Sequence, residues 1–308
     1  MINIQFSASE TAWATYQDTI VAACAARSLE INLRQDHAPE DVDYIIYAPT
    51  SDLQDFSPYT QCKAVLSLWA GVERIVGNST LTMPLCRMVD PGLTAGMVEW
   101  VAGHVLRYHL DLDRSLQTQD RWAPKIPPLA QQRQVSILGL GALGAACATA
   151  LAALGFSVTG WARSAKHVDG IMVQHGEAGL KSALQNAEIL VLLLPDTGAT
   201  QNILNANRLA LLPQGARIIN PGRGTLIDDA ALLDSLNSGH IAHATLDVFR
   251  QEPLPQEHPY WAHPHVTVTP HIAAETRPIT ASDMLAQNIA RSESGQPLLH
   301  EVDRKLGY

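Results

Sequence analysis

The chain is short of charge, and of positive charge above all. Of its 308 residues, 17% are charged, and 21 Lys and Arg face 30 Asp and Glu, a formal net charge of −9. A protein that neutralises a phosphate backbone carries a clustered positive excess, so this balance argues against nucleic acid as the main partner. Small anionic ligands stay open, because they need only a local basic pocket. Cysteine is scarce as well: Cys24, Cys62, Cys86 and Cys147 form no CxxC pair and no metal-ligand spacing. They read as reduced thiols, and no metal site is expected. Long apolar runs are missing. The longest run of large aliphatic residues, Ile189 to Leu194, has six, whereas a membrane span takes about 20 apolar residues. The opening MINIQFSASE places apolar residues at Ile2, Ile4 and Phe6, a strand alternation rather than the charged-then-apolar order of a signal peptide. A soluble, cytoplasmic protein is expected.

Apolar side chains are plentiful, at 46% of residues. That supply excludes disorder as the main state, since disordered chains are apolar-poor and charge-rich. At roughly 150 residues per domain the length predicts two domains. From the N-terminus to about Pro91, strand candidates Ile2–Phe6, Leu29–Leu33, Asp43–Tyr47 and Ala64–Leu68 alternate with helix-friendly stretches, the first opening at a candidate N-cap, Ser9. Strand–helix–strand order points to a parallel sheet covered by helices. Between Thr94 and Asp113, apolar residues recur at spacings of three and four, a long helix. Arg121 to Gln134, with Pro124, Pro127 and Pro128, reads as a linker or exposed loop.

The βα alternation then restarts, with strands at Val135–Leu138, Ser157–Trp161, Ile189–Leu194, Ala216–Ile219, Ala242–Asp247 and His265–Thr269, and helical stretches between them such as Ala230–Ser238. The stretch from Glu275 reads as one helix, Ser282 to Arg291, and a tail. No repeat or low-complexity segment occurs.

Val135-Ser-Ile-Leu-Gly139-Leu-Gly141-Ala142-Leu143-Gly144 is a buried strand running into G-x-G-x-x-G and an Ala-rich helix. Gly139 allows the tight turn, Gly141 lets backbone amides approach a pyrophosphate, and Gly144 lets helix and strand pack. A glycine pattern alone is weak, but here it has the strand–loop–helix context that dinucleotide binding requires. At the end of the second strand an NAD-selective site usually carries Asp or Glu for the adenosine ribose. This chain has Ala162 there, followed by Arg163, Ser164 and Lys166. A 2′-phosphate would meet a guanidinium and a hydroxyl instead of a repelling carboxylate. NADP(H) is therefore expected over NAD(H).

Ligands of open parallel sheets bind beyond the carboxyl ends of the strands. Three late strands end in chemistry: Asn220-Pro221-Gly-Arg223-Gly224, then Asp247-Val-Phe-Arg-Gln-Glu252, then Thr269-Pro-His271. One Arg, one Glu and one His suit the reduction of a 2-keto acid. A guanidinium binds the carboxylate and polarises the ketone. An imidazolium gives the developing alkoxide its proton, and a neighbouring carboxylate favours that charged ring and holds its tautomer.

These segments, with Leu194-Pro195-Asp-Thr-Gly-Ala-Thr200, Ala70-Gly71-Val72 and the helix around Met97-Val98-Glu99, resemble the D-2-hydroxyacid dehydrogenase family over nearly the whole chain, most of all its glyoxylate/hydroxypyruvate reductase A branch. The resemblance implies an α/β protein of two Rossmann-like domains with parallel sheets and a cleft between them. Residues 1–94 with 275–308 would be a flavodoxin-like substrate-binding domain and 95–274 the NAD(P)-binding domain. It implies Arg223 binding substrate carboxylate and carbonyl, His271 as acid/base and Glu252 as its partner. Backbone amides at Ala70 and Gly71 would hold the substrate carboxylate. Leu194, Pro195, Thr200, Asn220, Pro221, Asp247 and His271 would lie along the cofactor, with the glycine loop at its pyrophosphate. The implied reaction is NADPH-dependent reduction of glyoxylate or hydroxypyruvate by a homodimer with the long helix at its interface.

Two alternatives remain at this point: a dehydrogenase for another 2-keto acid, and a dinucleotide-sensing binding protein on the same fold. Trp69 departs from the family pattern, which commonly has a small residue before Ala-Gly; the indole either narrows the pocket or packs into the first domain. His263-Pro-His265 lacks a third metal ligand. Trp100 and Tyr108 read as packing residues, His104 and His109 as solvated or interfacial, and Asp111-Leu-Asp113-Arg114 as a plain charged helix end.

Overall fold

A computed structural model describes residues 1–307. The chain forms two compact units, Met1–Leu93 with Glu275–Tyr308, and Thr94–Ala274.

The first unit holds β1 (Ile2–Ser7), α1 (Glu10–Ala25), β2 (Ile31–Arg34), β3 (Tyr44–Tyr47), β4 (Ala64–Ser67) and β5 (Leu85–Cys86). The strands are parallel in the order β2-β1-β3-β4-β5, the flavodoxin-like winding. Ser9 caps α1 by accepting from the Ala12 N–H at 3.3 Å. Every residue of β3 and β4 is buried, as expected of strands covered on both faces. One face packs Ile4, Phe6, Tyr44 and Leu66 against Ile20 of α1 and against Leu285 and Ile289 of the C-terminal helix. The other packs Ile45, Val65 and Leu85 against Phe56 and Leu81.

The second unit runs through α2 (Pro91–His109), α3 (Leu112–Gln117), β6 (Gln134–Leu138), α4 (Ala142–Ala153), β7 (Ser157–Ala162), β8 (Met172–His175), α5 (Gly176–Gln185), β9 (Ile189–Leu192), α6 (Ala206–Leu209), β10 (Ala216–Asn220), α7 (Asp229–Asn237), β11 (Ile241–Leu246) and β12 (Val266–Val268). The chain then returns to the first unit with α8 (Pro278–Glu293). Its seven strands are parallel in the order β12-β11-β10-β9-β6-β7-β8. The winding reverses between β6 and β9, and such a switch point opens a ligand crevice at the strands' carboxyl ends.

Several local expectations are corrected. The long helix begins at Pro91 rather than Thr94, because Asp90 Oδ1 accepts from the N–H groups of Gly92 (2.8 Å) and Leu93 (3.1 Å) and Pro91 fills the first helical position. It ends at His109 rather than Asp113, because Asp111 takes a left-handed φ of 54° and starts α3. Asp111 and Asp113 are no plain helix end. Asp111 pairs with Lys125 (2.5 Å) and Arg217 (3.3 Å), and Asp113 with Arg107 (2.7 Å). His109 is buried with its ring 5.0 Å from that of Phe156 rather than solvated. Tyr108 is a packing residue: its hydroxyl hydrogen-bonds Thr245 at 2.6 Å inside the core. The four cysteines are free and buried. Among the described residues no helix is long and apolar enough to cross a membrane.

Candidate active site

The glycine loop leaves β6 at the switch point. Gly139 has φ 104°, and a Cβ there would collide with the Leu193 carbonyl on the neighbouring strand end. At Gly144 a Cβ would run into the Gly139 carbonyl, so α4 and β6 pack backbone to backbone. Gly141 differs. A Cβ there would meet no atom within 4 Å, and its φ of −65° suits any residue. Nothing in the protein demands glycine at this position, whereas a bound pyrophosphate would. Gly141 also stands as the N-cap of α4 with no side-chain capping bond, which leaves the N–H groups of Ala142, Leu143 and Gly144 without a side-chain cap. The loop therefore fits a dinucleotide phosphate at a helix N-terminus.

At the end of β7, Ala162 is half-buried and Arg163, Ser164 and Lys166 are exposed. The Lys166 ammonium donates to the Leu140 carbonyl, so it braces the glycine loop as well as adding charge. After β9, Leu194 is buried and Pro195 half-buried. Thr200 closes this loop on itself, donating to the Pro195 carbonyl at 2.6 Å while accepting from the Thr197 N–H at 2.9 Å.

The carboxyl ends of β10, β11 and β12 carry the polar constellation. Asn220 shapes the first turn: its amide donates to the Arg223 carbonyl (2.9 Å) and its Oδ1 accepts from the Gly222 N–H (3.1 Å). Pro221 is buried beside it, and Arg223 is half-buried. Gly224 packs on the backbone of Phe249 and Arg250 with no room for a Cβ, which presses the β10 and β11 loops together. In the β11 loop, Glu252 Oε1 accepts from the Phe249 N–H at 2.8 Å, and Oε2 lies 2.8 Å from His271 Nδ1. A carboxylate only accepts, so Nδ1 carries the proton and Nε2 remains for exchange with a ligand. His271 and Glu252 keep 51% and 35% of their side-chain surface exposed, so the pair is open to solvent.

Asp247, expected along the cofactor, has a second task that the sequence did not reveal. Fully buried, it accepts from the Thr269 hydroxyl (2.6 Å) and the N–H groups of Ile272 (2.9 Å) and Ala273 (2.8 Å). His271 sits between these donors at φ 54°, a left-handed conformation that a non-glycine residue holds only when its surroundings impose it. Asp247 and Thr269 are the imposing groups. The motif Thr-Pro-His signalled His271, but nothing in it signalled the threonine's role.

In the first unit, Ala70 and Gly71 follow β4 at the carboxyl edge of its sheet, both half-buried. Trp69 is 40% exposed, so it does not pack into that unit's core. Among the described residues no group of three or more His, Cys, Asp or Glu is placed to hold a metal, His263 and His265 included.

Comparison with known proteins gives this geometry a family. Residues 101–273 match the model of the D-isomer specific 2-hydroxyacid dehydrogenase, NAD binding domain. The chain belongs to this family. It is 42% identical over 255 residues to a glyoxylate/hydroxypyruvate reductase A of Serratia proteamaculans, covering 80% of this chain and 82% of the relative. A Xanthobacter autotrophicus D-isomer specific 2-hydroxyacid dehydrogenase, solved with NADPH and MES, superposes with a TM-score of 0.92 at 38% identity, covering 100% and 99% of the two chains. An NADPH-dependent glyoxylate/hydroxypyruvate reductase of Sinorhizobium meliloti, solved with NADP and sulfate, does so at 0.84 and 34%, covering 100% and 99%.

Proposed function

We propose that the protein reduces glyoxylate and hydroxypyruvate to glycolate and D-glycerate with NADPH. The observation that carries the reading is the 2.8 Å Glu252–His271 pair, held at the carboxyl edge of a dinucleotide-type sheet on loops pressed against the Arg223 turn. The activities named for the Serratia and Sinorhizobium relatives support the substrate class, and the NADP(H)-bound relatives support the cofactor.

In this reading the second unit binds NADPH, with the amides of Gly141 to Gly144 at the pyrophosphate and Arg163, Ser164 and Lys166 at the 2′-phosphate. Leu194, Pro195, Thr200, Asn220 and Pro221 line its path. The cofactor supplies a hydride to the keto carbon. Arg223 holds the substrate carboxylate and polarises the ketone, and His271 delivers one proton to the carbonyl oxygen as charge develops there. Glu252 accepts from Nδ1 and keeps the ring oriented. Overall charge and atoms balance as keto acid, NADPH and a proton giving hydroxy acid and NADP⁺. The first unit is the substrate-binding domain, with the amides of Ala70 and Gly71 assigned to the substrate carboxylate by family resemblance. The active form is a cytoplasmic homodimer.

Replacing Arg223 or His271 by Ala is expected to lower kcat for glyoxylate by about 10²–10⁴-fold, the range for loss of a proton-transfer or charge-stabilising group. NADPH affinity, read by quenching of protein fluorescence, should stay within about threefold, because neither group makes the pyrophosphate or 2′-phosphate contacts. Unchanged turnover in either variant would remove the assignment.

A further inference from the structure

The three loops that carry the site converge on a side chain that neither the motifs nor the proposed chemistry uses. Arg250 lies in the β11 loop, two positions before Glu252. Its guanidinium donates to the side-chain oxygen of Asn202 in the loop after β9, and to the Ile227 carbonyl in the loop after β10. A weaker contact reaches the Thr225 carbonyl at 3.4 Å, and Nε lies 3.2 Å from Asp229 Oδ2. Each anchor is itself fixed. Asn202 holds a left-handed φ of 49°, and its N–H donates to the Thr225 carbonyl at 2.9 Å. Asp229 accepts the Tyr260 hydroxyl on its other oxygen at 2.9 Å.

The β11 loop starts firmly, at buried Asp247 and Val248, and Phe249 and Leu254 pack on the core. Glu252 itself receives one backbone N–H, from Phe249 within the same loop, before it reaches His271. Beyond that start, the packing of Gly224 on Phe249 and the Arg250 guanidinium are what tie the loop to the Arg223 turn. One terminal nitrogen, Nη2, reaches Asn202, Thr225 and Ile227 while Nε faces Asp229, and the guanidinium remains charged at every relevant pH.

We propose that Arg250 is a positioning residue for the reaction: one guanidinium locks the Thr200, Arg223 and Glu252 loops in register, and through Glu252 it fixes the orientation of His271. The inference rests on the catalytic reading of Arg223, Glu252 and His271. It predicts a particular failure when the fork is removed. Glu252 drifts from Nδ1, and the His271 ring loses the acceptor that orients it, while the glycine loop at 139–144 is untouched.

The test compares wild type, Arg250→Ala, Arg250→Lys and Glu252→Gln, each checked for a cooperative thermal transition. Hydrogen–deuterium exchange without substrate reads the lock directly. Peptides over 247–255 should exchange at least tenfold faster in Arg250→Ala, with 139–146 unchanged. In glyoxylate reduction, Arg250→Ala should lose at least tenfold in kcat. The Arg250→Ala, Glu252→Gln double variant should lose little more than Glu252→Gln alone, because both act through the orientation of the His271 ring. Arg250→Lys should fall between wild type and Ala, and added guanidinium at millimolar concentration should restore part of the Ala variant's rate, since the side chain is 39% exposed. Unchanged exchange over 247–255 overturns the proposal whether or not the protein turns over any keto acid. Losses of rate that multiply in full in the double variant overturn the route through Glu252. If wild type reduces no 2-keto acid, the functional reading has failed, and the exchange result alone decides whether Arg250 holds the loops.

Discussion

His271 shows how much of one residue's behaviour is decided elsewhere. Its identity and its place after β12 could be read from a short motif, as could Arg223 and Glu252, because each sits within a few residues of a strand end and the partner chemistry is local. Its left-handed backbone could not be read, since the donors and acceptors that impose it come from Asp247 and Thr269, and Asp247 is brought across from the neighbouring strand. Arg250 was silent for the same reason: its acceptors at 202, 227 and 229 become neighbours only in the folded sheet. Cofactor choice, by contrast, is local. Ala162→Asp would set a carboxylate against a 2′-phosphate and offer an acceptor to a ribose hydroxyl. The ratio of kcat/KM with NADPH to that with NADH is expected to fall at least about tenfold, or about 1.4 kcal/mol. Steady-state kinetics with both cofactors checks it.

Elements with a strong period and a local start signal were legible, and those without were not. The βα alternation from Val135 and the cap at Ser9 needed only nearby residues. β8 escaped because it is a four-residue edge strand with half its positions exposed, and α5 because it opens on Gly176 and carries Gly179 against Gln174. The end of α2 escaped because the left-handed turn at Asp111 that stops it is held by distant ionic partners, Lys125 and Arg217. Arg107, Asp113, Arg217 and Asp111 gather around Tyr108 and the half-buried His243, whose ring reaches Thr267 at 2.9 Å. Burial first, then the Arg107 charge, hold the His243 pKa down to about 4, against an ordinary value of 6.5. The unfolded chain takes its proton near pH 6.5 and the folded chain only near 4. The stability that neutral His243 contributes is therefore complete above pH 6.5 and is lost as pH falls towards 4. His243→Gln should narrow the fall in urea midpoint between pH 7 and pH 4.5 relative to wild type. An equal fall in both proteins would remove His243 from the account.

At the scale of the molecule, a net charge of −9 demoted nucleic acid and said nothing of the pocket, since the anion-binding groups are a few residues at strand ends. The irregular stretch after α3 is apolar and exposed. Trp122 is 97% exposed and Ile126 91%, with Leu116 and Leu129 nearby on the chain also exposed. Apolar side chains concentrated in one segment mark an interaction surface, and they support the proposed homodimer. Light scattering on the purified protein should give twice 33.4 kDa, and Trp122→Ser with Ile126→Ser should weaken that association. A wild-type monomer at micromolar concentration would contradict the dimer.

The central claim is that the Arg223, Glu252 and His271 loops make an NADPH-dependent reductase of small 2-keto acids. Its most direct test is NADPH oxidation by the wild-type protein across glyoxylate, hydroxypyruvate, pyruvate and larger 2-keto acids, repeated with NADH. The account predicts the highest kcat/KM for glyoxylate or hydroxypyruvate with NADPH. No turnover of any 2-keto acid, despite tight NADPH binding, would contradict it.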